Sequence, residues 1–197
     1  MKKQCGPSDA FFPIPAALIV SGSIKRPNII TVAWIGIMGS SPPTIAISLN
    51  KSRYSWELID KHKEFTVNIP SADNFRETDY CGLVSGRTRN KFEDIHFTPI
   101  KGTKIGTPII QECPYNMECI VVHTLDLGEW AAIFGEIVET HVDEDKVDCA
   151  TGNIDISKAD PLIYCSTIRE YWRLGKRIGK GFNAGRYLQQ NSAVKDG

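Results

Sequence analysis

The fold is decided by residues 27–50, PNIITVAWIGIMGSSPPTIAISLN. The first half, 28–38, is rich in β-branched and aromatic residues, and the second half, 44–49, alternates larger aliphatic side chains with Ala46 and Ser48. Both patterns are typical of strands with a buried face. A Gly-Ser-Ser-Pro-Pro corner separates the two halves. The segment therefore predicts two strands of one sheet.

Small or hydroxylated side chains recur through this segment, at Thr31, Ala33, Ser40, Ser41 and Ser48. Bulky side chains at these positions would hold a ring system away from the backbone. The pattern therefore favours close approach of a flat or anionic ligand, and dense packing within the sheet is the alternative. Both interpretations stay open at this point.

The next residues bring two cations, Lys51 and Arg53, to the start of a predicted helix over 55–63. Ser52 or Ser55 is its candidate N-cap. The N–H groups and the positive dipole end of a helix N-terminus favour phosphate, and Lys and Arg add a mobile charge and a bidentate fork. The pattern predicts an anion site, although capping alone would explain the serine.

Composition predicts an ordinary globular protein. The chain has 197 residues, of which 42% are hydrophobic and 23% charged, enough to bury a core in one domain. Lys plus Arg and Asp plus Glu each count 23, and this zero net charge gives no global attraction to nucleic acid or an anionic membrane. With no signal-peptide core and no long apolar window, we expect a cytoplasmic protein without a membrane partner.

Periodicity and turn signals predict a β-barrel with peripheral helices. The predicted strands are 16–21, 28–38, 44–49, 65–69, 117–125, 131–142 and 162–165. The predicted helices are 55–63, 74–83 and 168–178. Gly135, inside a long strand, predicts a bulge or close backbone approach in a curved sheet.

These elements, by their order and spacing, resemble the flavin reductase-like, FMN-binding split-barrel family, and within it the flavoredoxin branch. The matching segments are PIPAALIV at 13–20, NIITVAW at 28–34, SSPP at 40–43, FTVNI at 65–69, SG at 85–86 with KFE at 91–93, LGEWAAIFGE at 127–136 and YWRLG at 171–175. The resemblance implies a mostly β, Greek-key split barrel formed by one domain over 1–197. Residues 166–197 would form a lid or a dimer-contacting tail.

The resemblance implies a homodimeric FMN-dependent oxidoreductase. Electrons would pass from NAD(P)H or a protein donor, through non-covalently bound FMN, to a small-molecule or protein acceptor. The cofactor carries the redox chemistry, so no catalytic protein residue is expected. An electron carrier without nicotinamide activity and a non-catalytic flavin-binding protein are the alternatives.

The site residues also follow from the resemblance. Those expected along the isoalloxazine and ribityl chain are Thr31, Val32, Ala33, Trp34, Ser48, Leu49 and Asn50, with Ser40 at the close-approach corner. Those expected at the phosphate are Lys51, Arg53, Ser55 and Lys91. Those expected to border the pocket are Cys81, Trp130, Tyr171, Trp172 and Arg173, of which Arg173 would attract a phosphorylated nicotinamide.

One departure concerns the segment Gly128-Glu129-Trp130, where many relatives have Gly-Asp-His. A tryptophan there would either stack over the flavin or nicotinamide or pack against the barrel. Hydride transfer from NAD(P)H is therefore less firmly implied than FMN binding.

Histidines and cysteines predict no metal site. The four histidines lack ligand spacing, and the six cysteines contain no C-x-x-C pair, which favours a reducing compartment and structural thiols. Cys113 and Cys119 form a candidate redox pair only if their strand ends meet. Cys81 is either a buried small side chain or a thiol activated by nearby cations.

Overall fold

The computed structural model describes residues 1–186. Within that range the strands are β1 Ile14–Pro15, β2 Ala17–Ser23, β3 Arg26–Val32, β4 Ile35–Ser40, β5 Pro43–Asn50, β6 Glu64–Ile69, β7 Pro99–Ile100, β8 Ile109–Ile110, β9 Tyr115–Leu127, β10 Trp130–Val142, β11 Ile163–Cys165 and β12 Glu170–Trp172. The helices are α1 Tyr54–His62, α2 Phe75–Leu83, α3 Lys91–Asp94 and α4 Ile156–Ala159. This confirms a mostly β chain with a few peripheral helices. In residues 1–186, no helix combines the length and the apolar character that membrane crossing requires.

The main sheet is antiparallel, with seven strands in the order β3-β2-β6-β9-β10-β5-β4. Its two edge strands, β3 and β4, are consecutive in the chain and separated only by Ala33 and Trp34. So short a connection spans at most about 10 Å, and the sheet must curl until its edges lie side by side. The result is a barrel that stays open between β3 and β4.

The predicted single strand over 28–38 is therefore wrong, because it is two strands on opposite edges of the sheet. β3 pairs with β2, whereas β4 pairs with β5. Between them, the backbone N–H of Ser48 donates to the carbonyl of Trp34 at 2.9 Å and fixes the connection against β5. Both halves favour extended backbone, so the break is imposed by closure of the sheet and not by a local signal.

The two faces of β2 serve two cores, which explains its continuous apolar run. Ile19 packs inside the barrel, where buried side chains from the other strands of the main sheet meet Ile59 of α1, and β4 contributes the partly buried Ile35. Leu18 and Val20 face outward and pack under α2 and α3, against Cys81 and Phe92. Each fully buried aliphatic or aromatic side chain contributes about 1.5–3 kcal/mol, so β2 anchors both layers.

Gly135 lies at a register shift in β10, as predicted. The pairing with β9 slips between Phe134 and Gly135. A Cβ at Gly135 would lie 2.6 Å from Cζ of Phe65 and 3.0 Å from Cβ of Cys119. The glycine thus lets the core phenylalanine approach the backbone where the strand bends.

We expect Gly135→Ala to lower the free energy of unfolding by about 1–3 kcal/mol, because the added methyl group overpacks the barrel core. Urea unfolding measures the loss. Gly36→Ala is the matched control: there the nearest atom is Cε of the flexible Met38, at 3.4 Å. Equal stability of the two variants would contradict the explanation.

The predicted helix over 168–178 is wrong. Residues Glu170–Trp172 form β12, in which Tyr171 lies opposite Tyr164 of β11, with ring centroids 5.2 Å apart. The Tyr171 hydroxyl also donates to Asp79. Residues 173–180 have no regular structure. Aromatic pairing across strands outweighs the helical periodicity of this segment. Of the predicted tail, residues 187–197 lie outside the described range.

Candidate functional site

A cavity of about 640 Å³ opens where the barrel is split. The ends of β3 and β5 form one side, together with the β3–β4 connection and Trp130 at the start of β10. Two segments distant in sequence form the other side. The lining residues are Ser8, Asp9, Ala10, Ile30, Thr31, Val32, Ala33, Trp34, Ser48, Leu49, Asn50, Arg53, Gly82, Trp130, Tyr164, Ser166, Thr167 and Arg169.

Backbone dominates the barrel side of this cavity. Ala33 and Trp34 lie outside both strand ladders, so the sheet does not use their N–H groups. The Thr31 hydroxyl donates to the carbonyl of Thr78 in α2, which fixes the wall against that helix. A planar polar molecule can therefore approach the main-chain groups of Ala33 and Trp34 here.

Two tryptophans border the cavity. The rings of Trp34 and Trp130 have centroids 4.5 Å apart and are tilted by 47°. Aromatic pairs at this distance contribute roughly 0.5–1.5 kcal/mol beyond area burial. Trp130 thus packs against another aromatic side chain and still faces the cavity.

A smaller cavity of about 90 Å³ adjoins the first and shares Ile30, Arg53 and Gly82 with it. Its full lining is Asn28, Ile30, Ser52, Arg53, Tyr54, Ser55, Cys81, Gly82, Val84, Ser85, Gly86 and Lys91. Helix α1 begins here, with Arg53 as N-cap and no side chain of the described chain capping it. Asn28 donates from Nδ2 to the buried Ser55 hydroxyl at 2.7 Å.

Lys91 supplies a buried cation to the smaller cavity. Only 4% of the residue is exposed, and Nζ donates to the carbonyls of Ile29 and Cys81, each at 2.7 Å. Burial lowers the pKa of Lys91, and the nearby charge of Arg53 acts in the same direction. An ammonium has three N–H donors, so two carbonyls leave one for an anion in the cavity. An anion bound in the smaller cavity would in turn favour the protonated, charged form of Lys91.

Three of the six cysteines, Cys81, Cys113 and Cys119, are buried thiols. Burial raises the pKa of Cys81 to about 12, although Lys91 acts to lower it, so this thiol is not activated. Burial likewise raises the pKa of Cys113 well above its ordinary value and that of Cys119 to about 12. In residues 1–186 all six cysteines are free. Over the same range, no three His, Cys, Asp or Glu side chains are grouped to hold a metal.

The structure brings twelve of the predicted residues into the two cavities and leaves five outside. The twelve are Thr31, Val32, Ala33, Trp34, Ser48, Leu49, Asn50, Arg53, Ser55, Cys81, Lys91 and Trp130. The five are Ser40, Lys51, Tyr171, Trp172 and Arg173.

Each of the outlying polar residues has another environment. Lys51 pairs with Asp126 at 2.6 Å, and Arg173 pairs with Asp73 and Asp160. Ser40 lies at the exposed end of β4. The predicted role of Arg173 at a nicotinamide phosphate therefore has no support from its position.

Sequence reasoning named no individual residue of the wall formed by residues 8–10 and 166–169, although residues 166–169 begin the predicted lid or dimer-contacting tail. Neither segment has a motif that indicates contact with the other. Their contact is visible only in the fold, where the Ser166 hydroxyl donates to the carbonyl of Phe11 at 3.2 Å. Asn28 and Gly86 were also missed as site residues, although Gly86 follows Ser85 in a segment that carries the resemblance.

The family model described as "Flavin reductase like domain" matches residues 9–172. The chain belongs to this family. The structure is similar to that of flavoredoxin of Desulfovibrio vulgaris (Miyazaki F), with a TM-score of 0.89, 36% identity, and coverage of 94% of this chain and 100% of that one. Flavoredoxin from Methanosarcina acetivorans gives a TM-score of 0.88, 32% identity, and coverage of 95% and 100%.

Among curated relatives, an uncharacterized protein of Archaeoglobus fulgidus is 34% identical over 133 residues, which are 67% of this chain and 75% of that protein. The family match and the two flavoredoxin structures confirm the flavin reductase-like family and its flavoredoxin branch. They also confirm the mostly β split barrel. A flavin-associated oxidoreductase role follows from membership of this family.

Proposed function

We propose that this flavin reductase-like protein binds FMN non-covalently and passes electrons from NAD(P)H or a protein donor, through the flavin, to an acceptor. The observation that carries the proposal is the continuity of the two cavities. The larger cavity, where Ala33 and Trp34 offer backbone groups, leads into a small cavity with a helix N-terminus and two cations. That order matches a flat ring system, a polyol chain and a terminal phosphate.

The smaller cavity fits a phosphate monoester. Arg53 offers a bidentate fork, Lys91 one remaining N–H, and α1 the positive end of its dipole. Gly86 contributes by its lack of a side chain, since a Cβ there would lie 1.8 Å from Oδ1 of Asn28. We assign the phosphate to these groups and to the Ser55 hydroxyl.

In the larger cavity, residues 31–34 and 48–50 would hold the ring system and ribityl chain through the main chain. Bound FMN supplies the redox chemistry itself, accepting a hydride or single electrons. The contribution of the protein is to position the flavin and to surround it with backbone donors that favour negative charge on its pyrimidine ring. We name no protein residue as catalytic.

The electron carrier without nicotinamide activity is the second candidate. It is favoured by Trp130, which stands where the family resemblance implies a histidine and which packs on Trp34 at the cavity. A homodimer and a cytoplasmic location stay predictions.

We expect the purified protein to show the two-band visible spectrum of oxidised flavin and to release FMN on denaturation. Anaerobic mixing with NADH or NADPH should bleach the bands if the protein is a reductase. Bleaching by dithionite alone would instead support the carrier. A colourless protein that does not bind added FMN would contradict both.

A further inference from the structure

The larger cavity contains a second arginine that the FMN assignment does not use. Arg53 lines both cavities, whereas Arg169 lines only the larger one, on the wall formed with residues 8–10. Within residues 1–186, the exposed Arg169 is in no salt bridge, as is also true of Arg53, whereas Arg87, Arg89 and Arg173 are paired. A guanidinium kept unpaired on a cavity wall is available to an anionic ligand.

The backbone holds Arg169 in place. Its φ of 57° is left-handed, and its N–H donates to the carbonyl of Cys165 at 2.9 Å, closing a turn between β11 and β12. The same turn is joined to the N-terminal segment by the bond from Ser166 to Phe11. Arg169 thus extends from a closed turn that is also joined to the opposite segment of the same wall.

Aromatic side chains line the same cavity as Arg169. Trp34, Trp130 and Tyr164 line the same cavity. Tyr164 packs against Tyr171, whose hydroxyl donates to Asp79. A cavity that combines large aromatic side chains with a few charged groups suits a flat, charged organic molecule.

We propose that Arg169 determines ligand specificity, by binding the carboxylate of a flat aromatic acid in the larger cavity beside the cofactor. The proposal rests on the proposed function and names the substrate class of that site. Asp9 lines the same wall and carries the opposite charge. Asp9 therefore opposes carboxylate binding, and the two residues together set its strength.

The test compares benzoate with benzamide, which has the same shape and no charge, by calorimetric titration of the FMN-loaded protein. We expect benzoate to bind more tightly than benzamide. Arg169→Gln should weaken benzoate binding by about tenfold, the lower end for a charge-assisted hydrogen bond, and leave benzamide binding unchanged. The benzoate affinity of Arg169→Lys should lie between those of the wild type and Arg169→Gln. Asp9→Asn should strengthen benzoate binding a few-fold.

The matched control is Arg26→Gln, which removes the same charge from an exposed position outside both cavities. This variant should bind benzoate and benzamide with the same affinities as the wild type. Glutamine keeps the Cβ of arginine, so the left-handed backbone at position 169 bears the same cost in both proteins. FMN retention is measured first for every variant.

Three outcomes would overturn the proposal: no binding of benzoate to the wild type, full discrimination retained by Arg169→Gln, or displacement of FMN by benzoate. A wild-type protein that binds no FMN contradicts the proposed function. If that apoprotein still binds benzoate in an Arg169-dependent way, the assignment of Arg169 stands and only the cofactor is wrong.

Discussion

Glu118→Gln is expected to lower the free energy of unfolding by about 3 kcal/mol near neutral pH. Glu118 lies on β9 and is fully buried. Its Oε1 accepts hydrogen bonds from the backbone N–H and hydroxyl of Thr103, at 2.7 and 3.0 Å. Its Oε2 accepts from the N–H groups of Lys104 and Ile105, each at 2.9 Å. The carboxylate therefore fastens the 103–105 loop to the barrel.

The electrostatics of Glu118 explain the size of this effect. Burial acts to raise the pKa of the carboxyl group, but hydrogen bonds from the loop backbone and from His141, 2.6 Å away, outweigh it and lower the pKa to about 2. The ordinary value is 4.5. A glutamine places an NH₂ group opposite backbone donors, which leaves buried donors without an acceptor.

The pH dependence of stability has a definite sign. Because the pKa of Glu118 is lower in the folded protein, its contribution is fully present above about pH 4.5 and is lost as the pH falls through about 2. The stability difference between the wild type and Glu118→Gln should therefore shrink on acidification. Urea unfolding at a series of pH values from about 7 down to about 3 measures it.

The control for this experiment is Glu139→Gln. Glu139 lies opposite Glu118 in the β9–β10 ladder, but its side chain is partly exposed and its nearest cation, on Lys104, is 3.9 Å away. Such a pair contributes less than about 1 kcal/mol. Equal losses in the two variants, or a pH-independent difference for Glu118→Gln, would rule out the explanation.

Local sequence signals predicted the parts of the site that are continuous in the chain. The alternation over 44–49 and the cationic helix start after it appear in the structure as β5 and the N-terminus of α1. These signals work because one strand and one helix turn carry their own periodicity and capping chemistry. The resemblance added Lys91, which reaches the same cavity from the start of α3.

Contacts between distant segments could not be predicted in this way. The break of 28–38 at Ala33 is required by closure of a sheet whose other strands come from the whole chain. The wall that contains Arg169 forms from segments about 155 residues apart, joined by the bond between Ser166 and Phe11. Neither segment has a sequence pattern that predicts its contact with the other. Long-range pairing is a property of the fold and leaves no local trace.

Gly86→Ala is expected to lower the affinity for FMN by about tenfold or more, without unfolding the protein. Gly86 does not occupy the left-handed region, so alanine is compatible with its backbone. The added Cβ would lie 1.8 Å from Oδ1 and 2.8 Å from Cγ of Asn28. Asn28 must then move and release the Ser55 hydroxyl, to which it donates at 2.7 Å. A released Ser55 hydroxyl is no longer held in place to donate to the phosphate, and one lost hydrogen bond to a charged group is worth about 1.5–3 kcal/mol, which is tenfold or more in affinity.

The comparison of FMN with riboflavin locates this effect, because the two molecules differ only in the phosphate. If the smaller cavity holds the phosphate, Gly86→Ala weakens FMN binding and changes riboflavin binding little, so the affinity ratio of the two ligands falls. Gly175→Ala, where an added Cβ meets open space, should behave as the wild type in fluorescence titrations with both. An equal loss for both ligands would place the phosphate elsewhere. A folded variant with undiminished FMN affinity would remove the smaller cavity from the cofactor site.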